Sequence, residues 1–206
     1  MCGRFVLLTD FRVITEAFHI QHVACEYRPG DHISPGQQVA AVIRKDERNS
    51  LVSFRWGLIP AWARDPAIGN RMFNARAETI AEKPSFKNAF RKRRCLIVAD
   101  GFYEWQKLGK VRNPFCFRLT SKRPFGFAGL HEIWVSADQQ AIHTCTIITT
   151  ASNELIGPIH DRMPVIIPQE DQATWLDPET KHPDALRSLL KPFPASEMTM
   201  EASISH

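Results

Sequence analysis

The sequence lacks the features that would send a chain into a membrane, along a secretory route or around a metal. No stretch of its 206 residues approaches the roughly 20 consecutive apolar residues of a membrane span. The N-terminus carries no basic segment followed by an apolar run and a small-residue cleavage site, so a soluble, cytosolic protein is expected. The five cysteines, Cys2, Cys25, Cys95, Cys116 and Cys145, are odd in number and widely spread, with no C-x-x-C pair. Reduced thiols are therefore expected, and neither a metal nor a cofactor. No internal repeat, low-complexity tract or shift in composition marks a domain boundary, so residues 1–206 read as one domain, expected to be monomeric. Strong charge is missing too: a net +4 barely favours nucleic acid over any other partner.

What is present is a set of short strands. Arg4 to Leu8 reads as a strand, followed by a helix capped near Thr9 or Asp10 with Phe11, Ile14 and Phe18 on one face. Val39 to Arg44 and Leu51 to Leu58 flank a polar turn at Lys45 to Ser50 and form a hairpin. Further runs lie at Cys95 to Ala99, Phe102 to Leu108, Phe115 to Leu119, Phe125 to Leu130 and Ile142 to Thr149. Helical pattern spans Thr79 to Arg94, Ser152 to Ile156, Gln169 to Leu176 and Pro183 to Leu190. Strands cluster rather than alternate with helices, which makes the class α+β. One dense basic run, Lys87 with Arg91, Lys92, Arg93 and Arg94, ends the first of these helices, with Phe86 and Phe90 inward. Two readings stay open for it: cations complementing the helix dipole, or a phosphate-contacting patch.

The chemistry-bearing residues begin at Met1-Cys2-Gly3-Arg4, where the small Cys2 side chain is of the kind that permits removal of the initiator methionine. An N-terminal cysteine holds an amine and a thiol on adjacent carbons, and an α-amine is substantially unprotonated near neutral pH. With an aldehyde, that amine gives an imine and the thiolate closes a five-membered thiazolidine. An internal cysteine cannot do this. Three polar motifs accompany it. Asn74-Ala75-Arg76-Ala77-Glu78-Thr79 precedes the predicted helix. In Asp100-Gly101-Phe102-Tyr103-Glu104-Trp105 a carboxylate stands between two aromatics, which disfavours its charged form. His160-Asp161-Arg162-Met163-Pro164 offers an imidazole, an acid and a guanidinium in consecutive positions.

Together and in this order, these motifs resemble the SRAP family, named for SOS-response-associated peptidases, over most of the chain. Ser34-Pro35-Gly36, the run Phe54 to Pro60 with Trp62, and Ile148-Thr149-Thr150-Ala151 support the likeness. The sequence departs from the family pattern at Ser34-Pro35, where Ala-Pro is expected, and it ends at His206, short of an Asn-containing tail that many relatives carry. The resemblance implies a mainly antiparallel, barrel-like β core with flanking helices. It also implies covalent capture of abasic sites in single-stranded DNA, with Cys2 joined to the ring-opened sugar. On that reading Cys2 is the nucleophile, Glu104 handles protons at the amine, His160 protonates the sugar ring oxygen and Asn74 positions. Thr149 is a further candidate for that positioning. Arg4, Arg76 and Arg162 grip phosphates, and Pro35 and Trp62 contact DNA, whereas Trp56 packs in the core. Three other readings remain: an N-terminal-nucleophile amidohydrolase, a peptidase, and a non-covalent single-strand binder.

Overall fold

A computed structural model describes residues 2–180 and 183–203. In chain order the elements are β1 (Phe5–Leu7), α1 (Phe11–Ala17), β2 (Ile20–Val23), β3 (Gly30–Ile33), β4 (Gln38–Lys45), β5 (Arg48–Trp56), β6 (Asn74–Arg76) and α2 (Lys87–Lys92). Then come β7 (Arg94–Ala99), β8 (Gly101–Leu108), β9 (Val111–Leu119), β10 (Phe125–Val135), β11 (Ala141–Ala151), β12 (Arg162–Pro164), β13 (Ile166–Ile167), α3 (Gln172–Leu176), α4 (Pro183–Ser188) and β14 (Met198–Ala202).

Five strands close on themselves in the order β5-β4-β7-β10-β11, with antiparallel pairing until β11 meets β5 in parallel at Thr144–Arg55 and Cys145–Trp56. The expected barrel-like, mainly antiparallel core is therefore present, with β2, β6, β12 and β13 added along its strands. The β4–β5 hairpin forms with longer strands and a tighter turn than the sequence indicates. Lys45 pairs with Arg48, and Asp46 and Glu47 turn the chain at φ +49° and +60°, the left-handed pair that matches strand twist in two-residue hairpins.

A second sheet, ordered β14-β9-β8-β1-β3, lies against the barrel. Aromatic rings join the two. Phe5 of β1 stands 5.2 Å from the Trp56 ring and 5.8 Å from Phe127, and Phe102 of β8 stands 6.0 Å from Phe127. These rings are fully buried, each contributing roughly 1.5–3 kcal/mol of burial. Asp100 locks β1 to β8 at its far end, its carboxylate accepting from the backbone N–H groups of Leu8 (2.5 Å) and Thr9 (2.8 Å) and from the Thr9 hydroxyl (2.7 Å). Asp10 caps α1 as expected, accepting from the Arg12 N–H.

Two expected helices are corrected. Thr79 to Arg94 is mostly turns, with only Lys87–Lys92 helical. Pro84 lies inside the periodic pattern and removes the backbone donor that a continuous helix needs. Ser152 to Ile156 is a turn, where the Ile156 N–H donates to Asn153 Oδ1 at 3.0 Å and the Gly157 N–H to Asn153 O at 2.8 Å. The expected helices at Gln169 to Leu176 and Pro183 to Leu190 are found, shortened by a 3₁₀ turn at one end and by loss of the last residues at the other. No helix among the described residues is long and apolar enough to cross a membrane.

The basic run divides rather than forming one patch. Lys87, Arg91 and Lys92 are exposed. Arg94 is buried and donates to the carbonyls of Trp175 (2.7 Å), Phe90 (2.8 Å), Arg91 (2.7 Å) and Asp177. Arg93 pairs with Glu132 at 2.6 Å. Arg94 bears out the first reading in part, since Phe90 O and Arg91 O belong to the last turn of α2, although it does so buried rather than solvated and also ties α3 to the barrel. Arg93 links the end of α2 to β10.

Candidate functional site

The site begins where the N-terminal segment runs back along β8. The Tyr103 N–H donates to Arg4 O at 2.9 Å and the Asp100 N–H to Val6 O at 2.8 Å, so the chain before Phe5 lies antiparallel beside Glu104. Cys2 is fully buried there. The Asn74 amide nitrogen donates to Cys2 O at 2.7 Å, which pins residue 2 from the barrel side. Its other amide atom, Oδ1, is buried with no hydrogen-bond partner, an acceptor held inside the site and left unused.

Asn74 reaches this point because β6 adds in parallel to β11, with Asn74 beside Ile147 and Arg76 beside Thr149. The polar triplet is too short to read as a strand. Just before it, Phe73 O accepts from the Trp56 indole N–H at 2.7 Å, fixing the approach of Asn74 to the barrel. From the other side, β12 pairs Arg162 with Ala151 and Pro164 with Thr149. Thr149 is thus fully buried between the two added strands.

Glu104 is 3% exposed, and burial raises its carboxyl above the usual range while the nearby His160 imidazole works the other way. The direction matches the expectation, but the cause differs. Tyr103 and Trp105 flank Glu104 in sequence and point to the opposite face of β8, where Tyr103 packs with Val6 and Cys116. Burial on the face of β8 that it shares with Phe102, not those two rings, removes the water. Burial first and the Glu104 charge second push the Cys2 thiol well above its ordinary value.

His160 is held by its neighbours. Its Nδ1 accepts from the Arg162 backbone N–H at 3.0 Å and stands 3.0 Å from Asp161 Oδ1. Arg162 is engaged by protein groups: its guanidinium meets both Glu78 oxygens, at 2.5 and 3.0 Å, and Thr149 O at 2.6 Å. The Arg162 ion pair in turn holds the Glu78 carboxyl below its ordinary value. Arg4 lies over the Trp105 ring, 5.2 Å from its centroid, with its Nε buried and unpartnered.

The whole chain, residues 1–205, matches the sequence model of the family described as SOS response associated peptidase (SRAP). The chain belongs to this family. It is 47% identical over 201 residues to the abasic site processing protein YoqW of Bacillus subtilis (strain 168), across 96% of this chain and 90% of that one. It is 29% identical over 194 residues to the abasic site processing protein HMCES of Xenopus tropicalis, across 79% of this chain and 58% of that one. A crystal structure of a Bordetella bronchiseptica protein superposes with a TM-score of 0.85 at 26% identity, covering 99% of this chain and all (100%) of that one.

The remaining SRAP-pattern residues stand at the end of β5. Pro35 opens a turn in which Gly36, at φ +93°, donates its N–H to Trp56 O at 2.7 Å. Trp56 is fully buried, as expected of a core ring, whereas Trp62 is 61% exposed. The loop carrying Trp62 leaves β5 at Gly57, φ +139°, where an added Cβ would stand 2.6 Å from Gly69 O; the close backbone crossing fixes where the loop starts. Ala63 O accepts from the Trp134 indole at 2.7 Å, anchoring the other side of the exposed ring. Arg76 is exposed beside Glu78. Sequence reasoning missed the partner roles of Glu78, Trp105 and Asp161. Glu78 and Arg162 are 84 residues apart, and no local spacing announces such a pair. No group of three His, Cys, Asp or Glu among the described residues could hold a metal.

Proposed function

We propose that this protein captures abasic sites in single-stranded DNA as a covalent adduct of Cys2, formed once Met1 has been removed. The observation that carries the reading is the convergence of Asn74, Glu104 and His160 on a buried residue 2, anchored by the 2.7 Å bond from Asn74 to the Cys2 carbonyl. The names of the relatives, abasic site processing proteins, supply the substrate class.

The chemistry balances without a cofactor. The Cys2 amine attacks the sugar aldehyde to give a carbinolamine, which loses one water to form an imine. The thiol then adds across the C=N bond, sulfur to carbon and proton to nitrogen, closing the thiazolidine. Burial favours the neutral carboxyl, which suits Glu104 to protonate the departing hydroxyl and, once ionised by that step, to accept the thiol proton. The thiol needs that base because its own burial disfavours the thiolate. His160 donates to the sugar oxygen as the ring opens, and Asn74 and Thr149 hold the lesion in register. Arg4 and Arg76 bind flanking phosphates, and Arg162 joins them when phosphate displaces Glu78 from its planar fork. Pro35 and Trp62 present a rigid edge and an exposed ring to the bases.

The test mixes purified protein with single-stranded DNA carrying one abasic site. A heat- and detergent-resistant species is expected, with the summed mass of protein and DNA less one water. It should be absent with undamaged DNA and with Cys2→Ala. A full yield of adduct from Cys2→Ala would remove Cys2 from the chemistry.

A further inference from the structure

The β8–β9 hairpin continues outward from the site as a two-stranded ribbon. Its turn is Gly109-Lys110, with Leu108 paired to Val111 and Lys107 to Arg112, and Gly109 at φ +61° supplies the left-handed residue the turn needs. Residues 107–112 are all exposed. Side chains alternate along a strand, so Lys107 and Arg112 fall on the outer face shared with Trp105, whereas Leu108 and Val111 fall on the face shared with Glu104. The outer face therefore reads, from the site outward, Arg4 stacked on Trp105, then Lys107 with Arg112, then Lys110 at the turn. Lys107, Lys110 and Arg112 form no ion pair among the described residues. The tip also carries two of the largest exposed aliphatic surfaces, Leu108 at 56% and Val111 at 58%.

A ribbon that spends three unpaired cations and two bare aliphatic side chains on solvent is poorly explained by stability, because neither feature supports the barrel. Both suit a strand of nucleic acid, with phosphates along one face and bases against the other. From Glu104 to Leu108 is about 13 Å at the usual strand rise, so the tip lies beyond the nucleotide that reacts.

We propose that the β8–β9 hairpin is a DNA-tracking arm: Lys107, Lys110 and Arg112 bind the phosphates of the single strand leaving the abasic nucleotide, and Leu108 and Val111 pack against its bases. The arm rests on the proposed function for its substrate and adds an extended subsite beyond the reacting nucleotide. It sets affinity for long strands and leaves the chemical step alone.

The test compares the wild type with Lys107→Ala/Lys110→Ala/Arg112→Ala by fluorescence anisotropy on undamaged oligothymidine long enough to pass the tip, over a range of salt. Each lost phosphate contact should reduce the log–log salt slope by about 0.7, so the triple variant should be shallower by about 2. Leu108→Ser/Val111→Ser should weaken binding with the slope unchanged. Crosslinking to a trinucleotide with a central abasic residue, too short to reach the arm, should proceed at the same rate for the wild type and the triple variant. Equal slopes on long DNA would overturn the arm, and so would an equal loss of the triple variant on the trinucleotide. Failure of every protein to crosslink would fall on the proposed function instead, and the reversible binding slopes would still report on the arm.

Discussion

Two regions of this molecule that draw arginine side chains inward differ in how many of their buried polar groups find partners. Where α2 meets α3, Arg94 is buried with its donors delivered to backbone carbonyls, and Arg93 closes onto Glu132 with only its Nε left unpartnered. Around Cys2, Asn74 keeps an unpartnered Oδ1, and Arg4 and Arg162 each keep an unpartnered Nε, all of them buried. Buried polar groups are ordinarily satisfied, and each exception costs about 1–3 kcal/mol. The first region uses charge to join elements. The second leaves more of its buried donors and acceptors without protein partners, an arrangement that suits the polar ligand of the proposed function.

The largest expected break of this comparison is Arg94→Ala. It strands the carbonyls that now receive the guanidinium, so the variant should lose about 3 kcal/mol of stability in chemical denaturation, with crosslinking intact in whatever fraction stays folded. A loss of crosslinking at full stability would place Arg94 in the site.

Glu104→Gln should do the reverse. Crosslinking should slow by about 100-fold or more, while reversible DNA affinity stays near wild type. The carboxyl's folded pKa is raised, so its favourable contribution is present at low pH and lost as pH rises through that value. The variant should therefore gain stability relative to wild type as pH climbs above about 4.3, the ordinary glutamate value, measured by thermal melts from there upward. A variant that loses stability at pH 7 would mark Glu104 as a structural residue.

His131 breaks the comparison from the other side, since it lies away from the site and also keeps a buried, unpartnered Nδ1. It stacks on Phe54 at 4.9 Å, and burial, with Arg93 and His143 nearby, lowers its pKa to about 3. A buried neutral imidazole makes the unfolded chain the better proton binder below about 6.5. Stability should then fall by up to about 1.4 kcal/mol per pH unit from there toward pH 3, and His131→Phe should flatten that limb. An unchanged limb in His131→Phe would assign the acid sensitivity to carboxylates such as Glu78.

How much of this was legible in the sequence follows from the same contrast. The residues that carry chemistry sit in short contiguous motifs, so Cys2, Asn74, Glu104 and His160 could be named from those motifs and the family resemblance they carry, and the structure brings them together. Strands with continuous apolar runs, such as β7 and β10, were legible for the same local reason. What sequence hid is set by tertiary context. The three-residue β6 exists only because β11 offers it an edge. The Thr79 to Arg94 periodicity concealed a break at Pro84. The dense cations at 91–94 split because Arg94 enters the barrel wall as the first residue of β7. The side of the strand on which Glu104 meets its dry environment depends on pleat direction, which flanking residues cannot reveal.

The smallest expected effect concerns Glu78, the protein group that now fills the fork of Arg162. Glu78→Gln should raise affinity for single-stranded DNA a few-fold at low salt, about 0.5–1 kcal/mol for a partly exposed pair, with the gain fading as salt rises. Lower affinity at every salt concentration would show that Glu78 positions Arg162 for DNA rather than competing for it.

The central claim turns on the amine of Cys2. With Met1 attached, or a tag ahead of Cys2, that nitrogen is a non-basic amide and the thiol alone gives only a reversible hemithioacetal. Intact mass should be measured beside the crosslinking assay on two preparations, one beginning at Met1 and one trimmed to Cys2. The account predicts that both bind single-stranded DNA, and that only chains beginning with Cys2 give an adduct that survives heating in detergent. Chains shown by mass to begin with Met1 that crosslink as fast and as stably would contradict it.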